Sequence, residues 1–356
     1  MSNEFPAQPP PNPTRPAVPP APGPPPAYPT GQAYSPQQMA YAYPPLPQKP
    51  PALPAEAVEY PHVLRGARRA WWRPIASFGL VLVGVIGVFI GFAVMLGVAA
   101  FVMGGGDVAS MDQVVEDFNN PVIFAGQNLM LATLIPIAML ATWIAHGVRP
   151  GFVSSVLGRF RWGWFGWSLL VTVPLWLAYI GLSLLLGSAG SPEAQTSRPS
   201  TWVALIVLTL LTTPLQAAGE EYLFRGWLMQ QLGAWFKNTY VALGAAIVVS
   251  SVVFALAHTS LDPWVLLDLG AFATAAVLLT WRTGGLEAAV ALHIVNNVIV
   301  LILFIMTTGL NDAFITPDTT GDGPSTLVSV VALAITTTVL WWLAGKRGVA
   351  RRTTGA

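Results

Sequence analysis

Beyond residue 62 the chain is written in long apolar blocks separated by short polar stretches. Within each block the apolar residues are continuous rather than alternating, which fits a buried helix and not a strand with one wet face. Eight blocks can be drawn: Ile75 to Met103, Val122 to Ala145, Trp164 to Leu186, Trp202 to Ala218 and beyond, Val241 to Ala257, Trp264 to Trp281, Leu286 to Thr308, and Leu327 to Ala344. At about 18 to 25 residues each, they can cross a hydrocarbon core about 30 Å thick. A helix satisfies its own backbone amides where no water is present, so the expected fold is all-α, a polytopic transmembrane helical bundle of about eight spans.

The N-terminal stretch has a different grammar. Of the 32 prolines, 21 lie before His62, interspersed with Ala, Gln and Tyr. Such a segment is expected to be a disordered, partly polyproline-II tail over residues 1–62. It lacks the basic start and apolar core of a signal peptide. Pro25, Pro26, Ala27 and Tyr28 resemble a ligand for proline-binding domains, but in so biased a tail chance is the simpler explanation, and partners of the tail stay unassigned. The rest divides into a basic juxtamembrane segment with spans one to three (63–200), a polar core of spans four to seven (201–310), and an outer loop, last span and basic tail (311–356).

Composition agrees with the pattern. Hydrophobic residues make up 54% of the 356 and charged residues 9%, where a soluble domain carries about 25% charged residues. Without cysteine there are no disulfides, thiolate metal sites or cysteine nucleophiles. A formal net charge of +1 gives no reason to expect nucleic acid as a partner; the expected surroundings are a lipid bilayer.

Basic residues set the expected orientation. With the N-terminus inside, 16 of 17 fall on the cytoplasmic side: Arg15, Lys49, Arg65, Arg68, Arg69, Arg73, Arg149, Arg159, Arg161, Arg225, Lys237, Arg282, Lys346, Arg347, Arg351 and Arg352, with Arg198 the exception. Asp107, Asp112, Glu116 and Asp117 then fall in the first outer loop, and Asp312, Asp318 and Asp322 in the last. Both termini are therefore expected in the cytoplasm, with the plasma membrane as the location.

Ionisable groups inside apolar spans cost at least a few kcal/mol each and are functional candidates by default. They are Glu220 and Glu221 in span four, His258 ending span five, Asp268 in span six, and His293 with the amides of Asn296 and Asn297 in span seven. Glu221 and Arg225 are one helical turn apart, the spacing of an internal ion pair. Glu220 points about 100° away from Glu221 and has no such partner. His293 and Asn297 again share one face. Asp268 reads more simply as paired with Asn296 or a hydroxyl, and Gly87 with Gly91 as a helix-packing pair.

A carboxylate, two imidazoles and a carboxamide on three spans supply what amide hydrolysis needs. Glu220 can take a proton from water, helped by His258, since burial makes a carboxylate a stronger base. His293 and the Asn297 amide can donate to the oxyanion that develops on the scissile carbonyl. Two histidines and a carboxylate are equally a zinc triad, formed by Glu220, His258 and His293 with one position open for water. One dimension does not close: Glu220 lies about 24 Å above the cytoplasmic edge and His293 only about 12 Å, leaving some 10 Å for tilt, a deeper helix start or a broken helix to absorb.

These residues form three ordered motifs: Glu-Glu-x-x-x-Arg (Glu220, Glu221, Arg225), Phe-x-x-x-His (Phe254, His258) and His-x-x-x-Asn (His293, Asn297). In this the sequence resembles the CPBP (Abi, type II CAAX prenyl endopeptidase) family of intramembrane proteases, over roughly residues 200–300. The resemblance implies an endopeptidase with Glu220 and His258 activating water, His293 and Asn297 forming the oxyanion site, and Glu221, Arg225 and Phe254 supporting it. The family has been described both as metalloproteases and as metal-independent glutamate proteases. With no His-Glu-x-x-His helix here, the metal-free version is preferred, so no cofactor is expected, with zinc the alternative. A membrane-associated protein or peptide is the expected substrate. Two rivals remain: a catalytically idle adaptor or immunity protein of the same family, and a transporter, although the two related halves of a transporter are not visible.

Overall fold

The computed structural model describes residues 50–107, 114–185, 198–258 and 260–355. The proline-rich stretch before residue 50, with Pro25 to Tyr28, lies outside the described residues, as do Asp112 and Leu186.

The helices are α1 (Trp72–Met103), α2 (Pro121–Ala132), α3 (Leu134–His146), α4 (Trp162–Leu185), α5 (Trp202–Glu221), α6 (Met229–Trp235), α7 (Thr239–His258), α8 (Pro263–Thr283), α9 (Glu287–Met306) and α10 (Gly323–Lys346). Among the described residues, eight helical segments are long and apolar enough to cross a membrane, α2 with α3 forming one and α5 through α6 another. The expected helical bundle is the observed one. The second span breaks at Thr133, three residues before Pro136. Proline has no N–H to donate to residue 132 and its ring collides with that carbonyl, which divides the helix there.

Side chains written into the sequence set several helix ends. Asp262 accepts from the backbone N–H groups of Trp264 and Val265 at the start of α8, and Asp322 accepts from Ser325 at the start of α10. The Val265 amide, with those of Gly321 and Trp264, holds the Asp262 carboxyl below the usual carboxylate range. Gly284 closes α8 with φ +63°, and a Cβ there would meet the Ala350 carbonyl oxygen at 2.6 Å.

Helix α5 packs between α2 and α9, α9 also contacts α4 and α8, and α1 rests mainly on α3. Gly219 permits the close approach of α5 to the second span, because a Cβ there would lie 2.2 Å from the Leu131 carbonyl oxygen. Asn128 Nδ2 then donates across the same contact to the hydroxyls of Thr212 and Thr213. In hydrocarbon such polar links replace the hydrophobic drive that holds soluble helices together.

Disorder was expected through residue 62, and the structure corrects that boundary. Residues 50–62 pack across one end of the bundle: Pro54, Tyr60 and Pro61 are buried, and Tyr60 donates its hydroxyl hydrogen to the Val153 carbonyl. Thr353 N–H donates to Val58 O at 2.9 Å and Glu59 pairs antiparallel with Arg352, so both ends of the described chain are tied together. Three buried apolar side chains and a backbone pairing overcome the proline content that argued for disorder. Burial also pushes the Tyr60 phenol well above its ordinary value, so it remains a donor.

Candidate active site

Span four runs through its centre as a π-helix, Tyr222–Leu228, immediately after the two glutamates. Such insertions recur at functional sites because they offset the helix face. Here Tyr222 is anchored by Ser154 at 2.7 Å, and Gly226 fits against Val153 and Leu286, where a Cβ would approach to 2.8 and 3.3 Å.

Glu221 is fully buried. Its Oε1 accepts from Arg225 Nη1 at 2.9 Å and faces His293 Nδ1 at 2.8 Å, so the ion pair expected from spacing is present and has a second duty. Arg225 does not serve as a cytoplasmic loop charge. It is wholly buried, with the rings of Phe224, Phe254 and Phe272 at 5.6 to 5.8 Å from its guanidinium carbon.

Glu220 is 15% exposed. Its Oε2 is 3.6 Å from His293 Nε2, and its Oε1 accepts from Gln216 Nε2 at 2.6 Å. The Gln216 carbonyl oxygen accepts from Asn297 Nδ2 at 3.1 Å, and Asn297 Oδ1 accepts from Asn296 Nδ2 at 3.0 Å. Glu220, Glu221, Arg225, His293 and Asn297 thus form one continuous network across α5, the π-turn and α9. Gln216 is the member that the sequence reading passed over. The signal was available, since it is a polar side chain one turn before Glu220 in an apolar span.

His258 stands apart. Its Nδ1 bonds the Phe254 carbonyl of its own helix at 2.8 Å, and no hydrogen bond or ion pair joins it to Glu220 among the described residues. The Phe254 ring is 4.5 Å from the His258 ring and 6.3 Å from that of His293. Asp268 is outside the network too, accepting from Ser329 Oγ at 2.6 Å, the hydroxyl pairing expected of it. As for zinc, His293 Nε2 and Glu220 Oε2 face each other at 3.6 Å, but among the described residues no three His, Cys, Asp or Glu are grouped to hold a metal ion.

The counted offset between Glu220 and His293 is absent from the structure, where their side chains meet at 3.6 Å. Leu286 N–H donates to Ser154 O at 2.9 Å, and the buried Glu287 receives Arg161 from its Nε, its Nη2 and its backbone N–H. The first turn of α9 therefore lies beneath the 151–161 loop and the C-terminal segment, inside the bundle end. On the other side α6 extends outward to residues 61–69, where Arg65 and Arg69 bond the Ala234 carbonyl.

No curated protein and no solved structure matches the chain. Residues 199–299 match the family model described as Type II CAAX prenyl endopeptidase Rce1-like. That interval contains all three motifs, Gln216 and the network they form, and the match points to a CAAX-protease-type intramembrane endopeptidase. In a chain with eight candidate spans among its described residues, residues 199–299 are thus similar to the Rce1-like type II CAAX prenyl endopeptidases, a likeness consistent with the CPBP family.

Proposed function

We propose that this protein hydrolyses a peptide bond of a membrane-associated substrate, with Glu220 as the base that activates water and no metal in the step. The observation that carries the proposal is the division between two adjacent carboxylates. Glu221 is sealed and paired with Arg225, while Glu220 keeps an accessible oxygen beside an imidazole and an amide chain.

Each polar group has a job in that step. The Nδ1 of His258 faces a carbonyl, which can only accept, so the neutral ring carries its proton there and Nε2 is left as an acceptor for a water hydrogen. Glu220 takes the proton as the water oxygen attacks the scissile carbonyl carbon. Asn297 uses one amide hydrogen on Gln216 and has the second for the oxyanion. His293 commits Nδ1–H to Glu221, so its Nε2 donates to the oxyanion only when the ring is protonated. A protonated His293 with Arg225 balances the two glutamates. Collapse of the intermediate breaks the C–N bond, and Glu220 returns its proton to the leaving amine.

Gln216 positions two of these groups. By donating to Glu220 and accepting from Asn297, it fixes which amide atom of Asn297 faces the reacting carbonyl. The basic residues gathered at one bundle end support cytoplasmic termini.

The reading is tested with purified protein on a library of membrane-tethered peptides, scored by mass spectrometry of the products. Cleavage at defined bonds, unchanged by thorough chelation, is expected. Activity lost with chelator and regained with zinc would replace the metal-free step by the zinc alternative. Absence of any cleavage, with solute uptake or partner binding in its place, would favour the transporter or adaptor.

A further inference from the structure

Where α1 enters the bundle it leaves a groove of about 570 Å³ against α3, bounded by Trp72, Arg73, Gly79, Leu80, Val83 and Ile144. That is within the range of about 300–1,000 Å³ typical of ligand sites. The walls are apolar and contain no carboxylate. Leu80, Val83 and Ile144 are 37%, 72% and 62% exposed, so the groove opens sideways, toward lipid in a spanning helix.

The polar end of the groove is unusual in its charge. Arg73 donates Nη1–H to the Ala145 carbonyl at 2.6 Å and lies against the Trp72 ring, but its Nε is buried with no partner. A guanidinium N–H without an acceptor is costly, so the Arg73 charge is left uncompensated by protein groups. Just before it in the chain, Arg65, Arg68 and Arg69 bond only backbone carbonyls, at Gly233, Ala234 and Pro50. None of the four arginines forms an ion pair among the described residues. Trp71 and Trp72, 74% and 49% exposed, stand at the same level, as aromatic side chains do at the edge of a bilayer.

A fixed guanidinium at the mouth, an uncompensated basic cluster beside it and an apolar trough behind it match one molecule end to end. We infer that this groove binds an anionic phospholipid, with Arg73 on the headgroup phosphate and an acyl chain lying along Gly79, Val83 and Ile144. The site is distinct from the proteolytic network and does not depend on its chemistry. Since α1 rests mainly on α3, an occupied groove fastens the first span to the bundle.

The test uses the full chain, delipidated in neutral detergent, with native mass spectrometry and thermal unfolding read after adding phosphatidylglycerol, phosphatidylcholine or soluble glycerol phosphate. Phosphatidylglycerol alone is expected to be retained and to raise the unfolding midpoint. Arg73→Gln should weaken that retention about tenfold or more, the loss of one charge-assisted hydrogen bond. Gly79→Leu fills the groove at a position where a Cβ meets nothing within 4 Å, so the fold should survive it while lipid retention is lost. A photoactivatable phosphatidylglycerol should label the peptides holding Val83 and Ile144. Equal retention of the two phospholipids, stabilisation by glycerol phosphate alone, wild-type retention in Gly79→Leu, or labelling of these peptides by a substrate peptide instead of lipid would each overturn the assignment.

Discussion

Replacing Glu221 by Gln separates the two duties of the buried carboxylate. In the structure Oε1 serves Arg225 at 2.9 Å and His293 at 2.8 Å, and both partners have zero or near-zero exposure. Glutamine keeps the volume but presents one neutral carbonyl and an NH₂ that, like both partners, only donates. Arg225 is left as an uncompensated charge among three phenyl rings. Breaking one side of a buried pair costs about 3–5 kcal/mol, enough to empty much of the folded population of a marginally stable protein. Glu221→Gln should therefore give a low yield of monodisperse protein and a lowered thermal midpoint. Adding Arg225→Leu removes the orphaned charge and offers an apolar side chain to the rings, so the double variant should recover much of the loss in a double-mutant cycle. Turnover should not recover with it, because His293 still lacks the acceptor that fixes its Nδ1–H. If stability fails to recover, the two side chains are not energetic partners; if turnover returns with stability, Glu221 does not orient His293.

Asn297→Ala removes one oxyanion donor and should lower turnover about 100- to 1000-fold with little change in substrate affinity, since that bond strengthens only as charge develops. Gln216→Leu should lower kcat more than KM while the protein still folds; an unchanged kcat would mean that the amide bridge does not set the geometry. For topology, a reporter active only outside the cytoplasm should be silent when fused after Ala356 and active near Asp112 or Asp318, and the reverse pattern would invert the bundle.

The architecture was legible because hydrophobic length is a physical requirement of the bilayer and survives any packing arrangement. The network was legible where its members are ionisable, as with Glu220, Glu221 and His293, for such groups have no other reason to be in a span. Four features were not. Gln216 is neutral, so the cost that betrays a buried glutamate is small in its case. The depth of His293 depended on where α9 begins, which is decided by contacts to Ser154 and Arg161, 126 or more residues away in the chain. The packed residues 50–62 looked like tail because proline density describes the local chain and says nothing of the cavity that Tyr60 fills. His258 was expected beside Glu220 from span order, and the hydrogen bond it makes is instead to the Phe254 carbonyl of its own helix.

The central claim is that Glu220 is the base, and Glu220→Gln tests it most directly. The substitution keeps the shape of the side chain and one oxygen for Gln216, but it cannot take a proton from water. Single-turnover cleavage of a membrane-tethered peptide by the purified variant, with folding checked by its thermal midpoint, should be slower by about 100-fold or more at an unchanged midpoint. Cleavage at a rate near that of the unmodified protein would contradict the account.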